Sequence, residues 1–354
     1  MKQKNYHIIG VMSGTSLDGI DLAELHFSLF DNGSWSFEIG VAETIAYPTI
    51  WKKNLQEAIT YSEDKMRNFN KEYTIYLGKV ISEFVKRNTL KNIDSVCSHG
   101  HTIWHQPENG MTLQIGNLPE IATIINQKVT CNFRVQDVAL GGNGAPLVPI
   151  GDHLLFNEYD YCLNLGGFAN ISFEEDEKRI AYDISPVNIV LNVLAEKLGF
   201  PFDEDGKFAK KGKVNTKLFQ QLNNISYYQE NPPKSLGLEW VQKNIFPLLE
   251  ASEVAIIDQI ATVTEHVAFQ IADEIKENTS VLVTGGGTFN SYLLKRIQYY
   301  KSCNLEVPSS ELIEYKEALI FGLLGVLKLR NEINCLASVT GARQNHCSGF
   351  IYEP

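Results

Sequence analysis

The sequence predicts an α/β protein of two similar domains, each a mixed sheet flanked by helices, that face one another across a cleft. One observation is a repeated pattern: strand, glycine-containing turn, strand, strand and then helix occur near the N-terminus and again after residue 160. The other is length, because 354 residues are more than one small core requires. Both glycine turns are expected to point into the cleft.

The first occurrence begins with segments that alternate or run apolar between short polar or glycine-containing breaks. They predict three antiparallel strands, at 6–13, 20–29 and 35–45. Apolar residues at helical spacing predict a helix over 66–88. Short apolar runs predict strands at 93–97 and 129–133, and a glycine-rich irregular stretch follows at 139–151.

The second occurrence begins with apolar segments that predict strands at 161–165, 168–174 and 179–183. Gly166 and Gly167 form the turn between the first two strands, and a helix is expected over 188–198. Later, a helix over 258–277 precedes a strand at 280–284 that runs into Gly285, Gly286 and Gly287.

The repeat divides the chain into two expected domains. The first comprises 1–130, joined by the C-terminal residues 340–354, and the second comprises 131–339. Two charged or proline-bearing segments, 203–213 and 231–235, are expected to be ordered loops.

Composition narrows the class of protein. The hydrophobic and charged contents of 44% and 21% are ordinary for a soluble globular chain. The net charge of −11 argues against a nucleic-acid partner. No apolar run reaches the roughly 18 residues of a membrane span, and the N-terminus does not resemble a signal peptide. Six scattered cysteines without a Cys-x-x-Cys pair favour a reduced, cytoplasmic protein with buried thiols.

The most informative motif lies between the first two strands. Glycines permit close backbone approach, successive N–H groups form a concavity for anions, and nearby carboxylates can hold a phosphate-bound magnesium. The expected nucleotide-binding residues are Gly14, Thr15, Ser16, Leu17, Asp18, Gly19, Ile20 and Asp21. No Gly-Lys-Ser/Thr follows, so this is not a P-loop. By itself the motif favours an ordinary hairpin turn, and the rest of the chain reverses that preference.

Segments spread over nearly the whole chain resemble the anhydro-N-acetylmuramic acid kinase family of the actin-like, sugar-kinase and heat-shock-chaperone ATPase superfamily. The matching segments, in family order, are GVMSGTSLDGID (10–21), SHGHT (98–102), TLQIG (112–116), NFR (132–134), GAPLVP (144–149), NLGGFANIS (164–172), PPKS (232–235), VTGGG (283–287) and VTGAR (339–343).

The resemblance implies a cell-wall recycling kinase with an actin-like fold that uses ATP and Mg²⁺. Its implied acceptor is a 1,6-anhydro amino sugar, which is opened by water and phosphorylated on the released 6-hydroxyl. Asp18 is the implied magnesium ligand. The family's tendency also suggests a homodimer, whereas the expectation of no nucleic-acid or membrane partner rests on the net charge and on the lack of a long apolar run.

The resemblance assigns roles to further residues. Asp183 aligns with the family's catalytic aspartate, and a carboxylate ending a buried strand suits a general base. An N-cap or Asx-turn role for Asp183 remains the alternative. Gly166, Gly167, Gly285, Gly286 and Gly287 are expected beside the nucleotide, although tight packing also explains glycines.

Substrate-binding residues are expected in both domains. They are His99, Gly100, Arg134, Asn188 and Glu317. Arg134 would clamp an acidic group of the sugar or a phosphate, unless it makes a surface salt bridge. Glu317 could equally be a helix-surface residue. The spacing of His99, His101 and His105 leaves zinc as an alternative.

The chain departs from the family at the acceptor site. Where the family has Asp-Thr-Gly-Pro-Gly-Asn, this chain has Asp183-Ile184-Ser185-Pro186-Val187-Asn188. A family aspartate is replaced by Asn192, and common arginines by Trp104 and Gln106. Trp104 could stack on a sugar or simply pack. A kinase for a different anhydro or open sugar, or a catalytically silent binding protein, therefore remain alternatives.

Overall fold

The computed structural model describes residues 3–14 and 17–354, so Thr15 and Ser16 of the expected phosphate loop lie outside the described residues. The chain divides into two compact units. Unit 1 combines Met1–Leu155 with Glu314–Pro354, and unit 2 is Phe156–Ile313. These limits differ from the boundaries at 130/131 and 339/340 expected from the sequence.

The difference arises because segments expected in the second domain pack within unit 1. A Cβ atom on Gly10 would clash with the carbonyl group of Ala318. The backbones of the N-terminal and C-terminal segments of unit 1 are therefore in contact. A Cβ atom on Gly151 would lie 2.6 Å from the side chain of Ile320. Such contacts between distant segments leave no local pattern in the sequence.

The described residues form twelve strands. They are β1 (Gln3–Ser13), β2 (Gly19–Phe30), β3 (Trp35–Ala46), β4 (Ser95–Gln106), β5 (Met111–Ile115), β6 (Val129–Cys131), β7 (Tyr161–Leu165), β8 (Phe168–Glu175), β9 (Lys178–Pro186), β10 (Ser280–Thr284), β11 (Asn304–Glu306) and β12 (Phe350–Tyr352).

The described residues also form fourteen α-helices. They are α1 (Thr49–Ala58), α2 (Glu63–Arg87), α3 (Glu120–Ile125), α4 (Val135–Ala139), α5 (Pro149–Leu155), α6 (Asn188–Glu196), α7 (Lys207–Lys211), α8 (Thr216–Asn223), α9 (Leu238–Asn244), α10 (Phe246–Ala251), α11 (Ile256–Glu274), α12 (Ser291–Tyr300), α13 (Ser310–Leu329) and α14 (Ala337–Thr340). None of them is both long and apolar enough to cross a membrane.

The two units share one sheet topology. Unit 1 contains the order β3-β2-β1-β4-β6, with β12 beside β6 and β5 beside β4. Unit 2 has the corresponding order β9-β8-β7-β10-β11. In both, the first three strands are antiparallel and the next two run parallel to the first. The predicted fold class, two similar α/β domains with mixed sheets flanked by helices, is confirmed in its architecture.

Each unit has its own hydrophobic core between the sheet and its helices. In unit 1 the long helix α2 buries Tyr73, Leu77 and Ile81 against strands β1 and β2. Ser62 caps this helix by accepting a hydrogen bond from the Lys65 N–H group, as expected of serine before a helix. In unit 2 the helix α11 is buried along most of its length.

Three elements differ from the sequence-based expectation. Strand β4 continues through SHGHT, which therefore lies in a strand rather than in a loop. Strand β9 continues past Asp183 to Pro186, so Asp183 does not end its strand. The segment 203–213 contains the helix α7 instead of only a loop. Pairing with neighbouring strands, which local composition does not reveal, extends β4 and β9.

Candidate functional site

The expected phosphate loop joins β1 to β2 in unit 1. Leu17 has a left-handed backbone conformation (φ 59°), and its N–H group donates to the carbonyl oxygen of Gly14 at 3.3 Å. This conformation is uncommon for leucine and is found at constrained, often functional turns. Gly19 has a different explanation, since a Cβ atom there would lie 2.6 Å from the carbonyl oxygen of Ile45 in β3.

A buried network of hydroxyl groups supports the start of this loop. The Ser13 hydroxyl lies 2.6 Å from the hydroxyl of Tyr47 and 2.7 Å from Nδ1 of His101. Tyr47 is hydrogen-bonded in turn to Tyr73, which is fully buried on α2. Burial lowers the pKa of His101 to about 4, so the ring is neutral near pH 7. The network fixes the end of β1, from which the loop begins.

Two carboxylates follow the loop. Asp18 is exposed, whereas Asp21 in β2 is partly buried and accepts a 2.6 Å hydrogen bond from the Thr44 hydroxyl. Burial raises the pKa of Asp21, and the negative charges of Asp18 and Glu314 raise it further. A divalent cation bound by these carboxylates would reduce the repulsion between their negative charges.

Arg134 and His99 form a hydrogen-bonded pair in unit 1. Arg134 precedes α4, and its Nε donates to Nε2 of His99 at 2.9 Å. Because arginine only donates, His99 must carry its proton on Nδ1, which donates to the Gly100 carbonyl oxygen at 2.9 Å. Burial, assisted by the Arg134 charge, holds the pKa of His99 well below its usual range. A second Arg134 nitrogen, Nη1, donates to the Gly144 carbonyl oxygen at 2.6 Å.

Glu317, on α13, is the carboxylate that faces this pair. Its side chain is exposed to solvent, and its charge interacts with that of Arg134. Lost hydration raises the pKa of Glu317, while the charge of Arg134 opposes that shift. Burial lowers the pKa of Arg134 to about 10, so the guanidinium stays charged at neutral pH. The structure therefore brings His99, Gly100, Arg134 and Glu317 together.

The three histidines of the zinc alternative have separate partners. His105 lies 3.1 Å from the Thr112 hydroxyl, while His99 and His101 bind Arg134 and Ser13. Trp104 donates through Nε1 to the carbonyl oxygen of Ile59, so its indole packs against the segment after α1.

Asp183 lies in β9 of unit 2 beside a β-bulge. It pairs with Asn170, whereas Ser185 pairs with Ala169, leaving Ile184 as the extra residue. Bulges redirect the side chains beside them. Burial raises the pKa of Asp183, and a 2.9 Å hydrogen bond from the Leu236 N–H group to Oδ2 partly opposes the shift. The N-cap alternative is wrong, because Val187 occupies that position before α6.

The glycines of unit 2 fall into two groups. Gly285 has a left-handed φ of 82°, and a Cβ atom on Gly285 or Gly287 would lie 2.8 Å from backbone atoms of Leu165. Packing alone requires these two. A Cβ atom on Gly286 would meet no atom within 4 Å, and one on Gly167 would make an ordinary contact at 3.9 Å. A Cβ atom on Gly166 would lie tightly against the Asn164 side chain, at 3.3 Å. Packing therefore does not explain Gly167 or Gly286.

Asn188 connects the β7–β8 turn to α6. Its side-chain amide nitrogen donates to the carbonyl oxygens of Leu165 and Gly166, at 3.2 and 2.7 Å. The N–H groups of Val187 and Ile189 donate to the Gly167 carbonyl oxygen. The amide nitrogen of Asn188 thus has a structural role that its sequence context did not reveal.

Residues that surround Asp183 were missed from the sequence. The Tyr227 hydroxyl donates to the Asp183 carbonyl oxygen at 2.6 Å, and the Asp183 N–H group donates to the Lys234 carbonyl oxygen at 3.3 Å. The Lys234 ammonium is nearly buried, lies 3.3 Å from Glu274, and sits over the rings of Tyr182 and Tyr227. The motif PPKS could have indicated this segment, but nothing in it points to Asp183.

Comparison with known proteins identifies the family. The family model described as anhydro-N-acetylmuramic acid kinase matches residues 6–354. The chain is 32% identical to the anhydro-N-acetylmuramic acid kinase of Sulfurimonas denitrificans, covering 98% of this chain and 99% of that protein. It is 34% identical to the Clostridioides difficile enzyme of the same name, covering 97% of each.

The chain therefore belongs to the anhydro-N-acetylmuramic acid kinase family, and the resemblance seen in the sequence is confirmed. It is accordingly a kinase, an enzyme that transfers a phosphoryl group to a sugar hydroxyl. Among solved structures, a ligand-bound xylulose kinase from Lactobacillus acidophilus aligns with 99% of this chain and 94% of that one, with a TM-score of 0.43 and 11% identity.

Proposed function

We propose that this kinase uses ATP and Mg²⁺ to convert 1,6-anhydro-N-acetylmuramic acid into N-acetylmuramic acid 6-phosphate. Family membership supports the substrate class, and the environment of Asp183 is the observation that carries the mechanism. In this proposal the enzyme works in the cytoplasm during peptidoglycan recycling. The family resemblance also favours a homodimer.

Asp183 is the proposed general base. A useful base has a pKa near the working pH, and burial moves the pKa of this carboxyl in that direction. Asp183 takes a proton from water, whose oxygen bonds to the anomeric carbon while the bond from that carbon to O6 breaks. O6 accepts the γ-phosphoryl group of ATP, and ADP leaves. Two hydrogen bonds hold the Asp183 carboxylate in position. The Leu236 N–H group donates to its Oδ2 atom, and the Tyr227 hydroxyl donates to the Asp183 carbonyl oxygen.

The nucleotide is assigned to the glycine turns. Gly167 and Gly286 have no packing requirement for glycine, which supports close approach of phosphate oxygens to their backbone and to that of the adjacent Gly166. Gly14 and the residues through Asp21 are the corresponding assignment in unit 1. Phosphoryl transfer depends mainly on such positioning and on charge stabilisation.

The carboxylates after the first loop fit a magnesium ion. Asp18 is exposed and Asp21 already responds to its charge, so both are available as oxygen ligands. Magnesium, when bound, would neutralise charge on the phosphates. Asp18 is the first candidate ligand and Asp21 the second.

The acidic sugar is assigned to the Arg134 group. Arg134 is charged and held by His99 and Gly144, so it can bind a carboxylate at little entropic cost. Glu317 beside it is suited to accept hydrogen bonds from sugar hydroxyls or an amide. Gly100 and Asn188 complete the proposed acceptor residues, Asn188 through its amide oxygen.

A changed acceptor is the second candidate, and the replacement of a family glycine favours it. The family has glycine where this chain has Ser185, which is fully buried. A backbone position that carries a side chain cannot be approached as closely as glycine. A related anhydro sugar or an open sugar would then be the substrate.

The test is an assay of ADP release from the full chain with ATP, Mg²⁺ and 1,6-anhydro-N-acetylmuramic acid, with the product mass determined. A product heavier by one water and one phosphoryl group supports both halves of the reaction. ATP binding without ADP release contradicts the proposed acceptor. A panel of open and anhydro amino sugars then separates a changed acceptor from a silent protein.

A further inference from the structure

A buried cluster of three metal-ligating side chains lies in unit 1, outside the residues assigned to catalysis. Asp137 is on α4, Cys335 precedes α14, and His346 lies near the C-terminus. Their exposed fractions are 0%, 0% and 5%. One ligand atom from each lies within 4.8 Å of the other two.

The His346 ring faces the Asp137 carboxylate with a nitrogen that has no hydrogen-bond partner among the described residues. Its Nδ1 lies 3.1 Å from the Gln344 carbonyl oxygen and therefore carries a proton. The other nitrogen, Nε2, is 3.6 Å from Asp137 Oδ1 and makes no hydrogen bond. In a neutral ring, the lone pair of Nε2 would face a carboxylate oxygen. A cation bound between the two atoms would satisfy both of them.

The Cys335 sulfur is the third ligand atom of the cluster, within 4.8 Å of the other two. Cys335 Sγ lies 3.0 Å from Asp137 Oδ1. In a tetrahedral zinc site with ordinary bond lengths, pairs of such ligand atoms lie about 3.3 to 3.8 Å apart. The Asp137–His346 distance falls in this range, and the Asp137–Cys335 distance needs an increase of about half an ångström.

We propose that Asp137, Cys335 and His346 form a zinc site that ties helix α4 and the loop after it to the C-terminal segment. The site takes up Zn²⁺ and releases the Cys335 thiol proton. Zinc with one carboxylate and one thiolate carries no net charge, which suits burial. The imidazole, thiolate and carboxylate combination is typical of zinc rather than of magnesium or calcium.

Neighbouring groups hold the ligands as second-shell partners do in zinc proteins. The Gly144 N–H group donates to Asp137 Oδ2 at 2.7 Å, and the Thr340 hydroxyl donates to Oδ1 at 2.7 Å. The Gln344 carbonyl oxygen orients the His346 ring. The backbones of Cys335 and His346 are paired by two 3.1 Å hydrogen bonds.

The site has a consequence for Arg134. Gly144 contributes its N–H group to Asp137 and its carbonyl oxygen to Arg134, so one peptide segment joins the two. Zinc at Asp137 would restrain this segment. Removal of zinc is therefore expected to lower the melting temperature and to raise the KM for the sugar more than it lowers kcat.

The first experiment measures metal in the full chain purified from zinc-supplemented cells without chelators. About one zinc per chain is expected, and it should be lost in Cys335→Ser and His346→Asn. Cys303→Ser, in unit 2, is the matched thiol control and should keep its zinc. His26→Asn controls for the other possible cluster, His7 with Glu24 and His26, and should also keep it.

The second experiment uses the unmutated chain, so misfolding of a variant cannot obscure the result. Cobalt added to the metal-free protein should produce a thiolate-to-cobalt charge-transfer band, which the His7 cluster, lacking cysteine, cannot give. Thr340→Val should weaken zinc binding by about 10- to 100-fold, as loss of a second-shell partner does. Absence of both zinc and the cobalt band would overturn the proposal. This outcome is separable from the proposed function, which the ADP assay tests on its own.

Discussion

The two units have the same strand order but provide different chemistry. Unit 1 offers buried charged and polar side chains, with Arg134 and His99 joined by a hydrogen bond and Glu317 nearby. The candidate residues of unit 2 contribute mainly backbone groups, in the turn after β7 at Gly166 and in the turn after β10 at Gly286. The candidate side chain with a charge is the carboxylate of Asp183. The duplicated fold therefore places strand ends at equivalent positions in the two units. The side chains and turns at those strand ends decide the chemistry. Side chains suit recognition of a particular sugar, whereas backbone N–H groups suit phosphates.

Removal of the Asp183 carboxylate should have the largest effect. Asp183→Asn keeps the shape and the acceptor for the Leu236 N–H group, yet it cannot take a proton. We expect kcat to fall by about 10²- to 10⁴-fold, the usual contribution of a general base. ADP release with product mass is the measurement, and ATP affinity should be unchanged.

Asp176→Asn is the matched control for Asp183, because it alters an exposed aspartate in the turn after β8. It should behave as the unmodified chain does. Normal turnover by Asp183→Asn would remove Asp183 from the base role.

Arg134 tests the side-chain chemistry of unit 1. Arg134→Lys loses the geometry that reaches both His99 and Gly144, and hydrogen bonds to charged groups contribute about 1.5 to 3 kcal/mol. The KM for the sugar should rise by about 10- to 100-fold, with a smaller change in the KM for ATP. Arg87→Lys alters an exposed ion pair with Glu43 and should change neither value. A larger effect on the KM for ATP than on the KM for the sugar would contradict the assignment of Arg134 to the sugar.

Substitution of two adjacent glycines in unit 2 distinguishes a packing role from a role in close approach of a ligand. Gly285→Ala places a Cβ atom against Leu165 at a left-handed φ and should lower the free energy of unfolding by about 1 to 3 kcal/mol. Gly286→Ala meets no protein atom and should leave unfolding unchanged while raising the KM for ATP by about tenfold. Denaturant unfolding and steady-state kinetics measure the two effects. Unchanged ATP kinetics in Gly286→Ala would argue against the phosphate assignment.

Lys234 tests whether Asp183 depends on the segment that holds it. Lys234→Met keeps the length of the side chain but loses the ion pair with Glu274 and the contacts with the Tyr182 and Tyr227 rings. We expect kcat to fall by about tenfold, as small misplacements of a catalytic group do, with little change in KM.

A second readout distinguishes positioning from general destabilisation by Lys234→Met. A weaker Leu236 hydrogen bond would raise the pKa of Asp183, so the acid limb of the pH–kcat profile should move to higher pH. Lys243→Met, at an exposed lysine on α9, is the control and should leave that limb in place. If the acid limb of the pH–kcat profile does not move in Lys234→Met, Lys234 contributes to stability and does not position Asp183.

The smallest expected effect concerns stability. The pKa of Asp183 is raised in the folded state, so its charged form is disfavoured there and weakens the fold above that pKa. Asp183→Asn should therefore be more stable than the unmodified chain at pH 7 to 8, by about 0.5 to 1 kcal/mol. The gain should shrink as the pH falls through the folded pKa towards the usual aspartate value. If Asp183→Asn is less stable than the unmodified chain at pH 8, the charged Asp183 carboxylate does not destabilise the folded state.

The sequence by itself determined the repeat, the fold class, the family and most of the candidate residues. Strand periodicity and glycine turns are local signals, and motifs in family order are specific even when each is short. Helix α2 was expected over 66–88 and is found at Glu63–Arg87, because its apolar face and capping residues are local in the chain. The clustering of Arg134 with His99 also followed from motifs, since both lie in family segments.

Only the tertiary structure decided where the units divide and what each candidate residue contacts. Helix α13 belongs mainly to unit 1 because it packs against β1, more than 300 residues away in the chain. The same reason applies to Lys234 beside Asp183, to the packing role of Gly285, and to the cluster of Asp137, Cys335 and His346. These contacts join residues that are distant in sequence, and the free energy that fixes them comes from burial and hydrogen bonding in three dimensions, which no local pattern records.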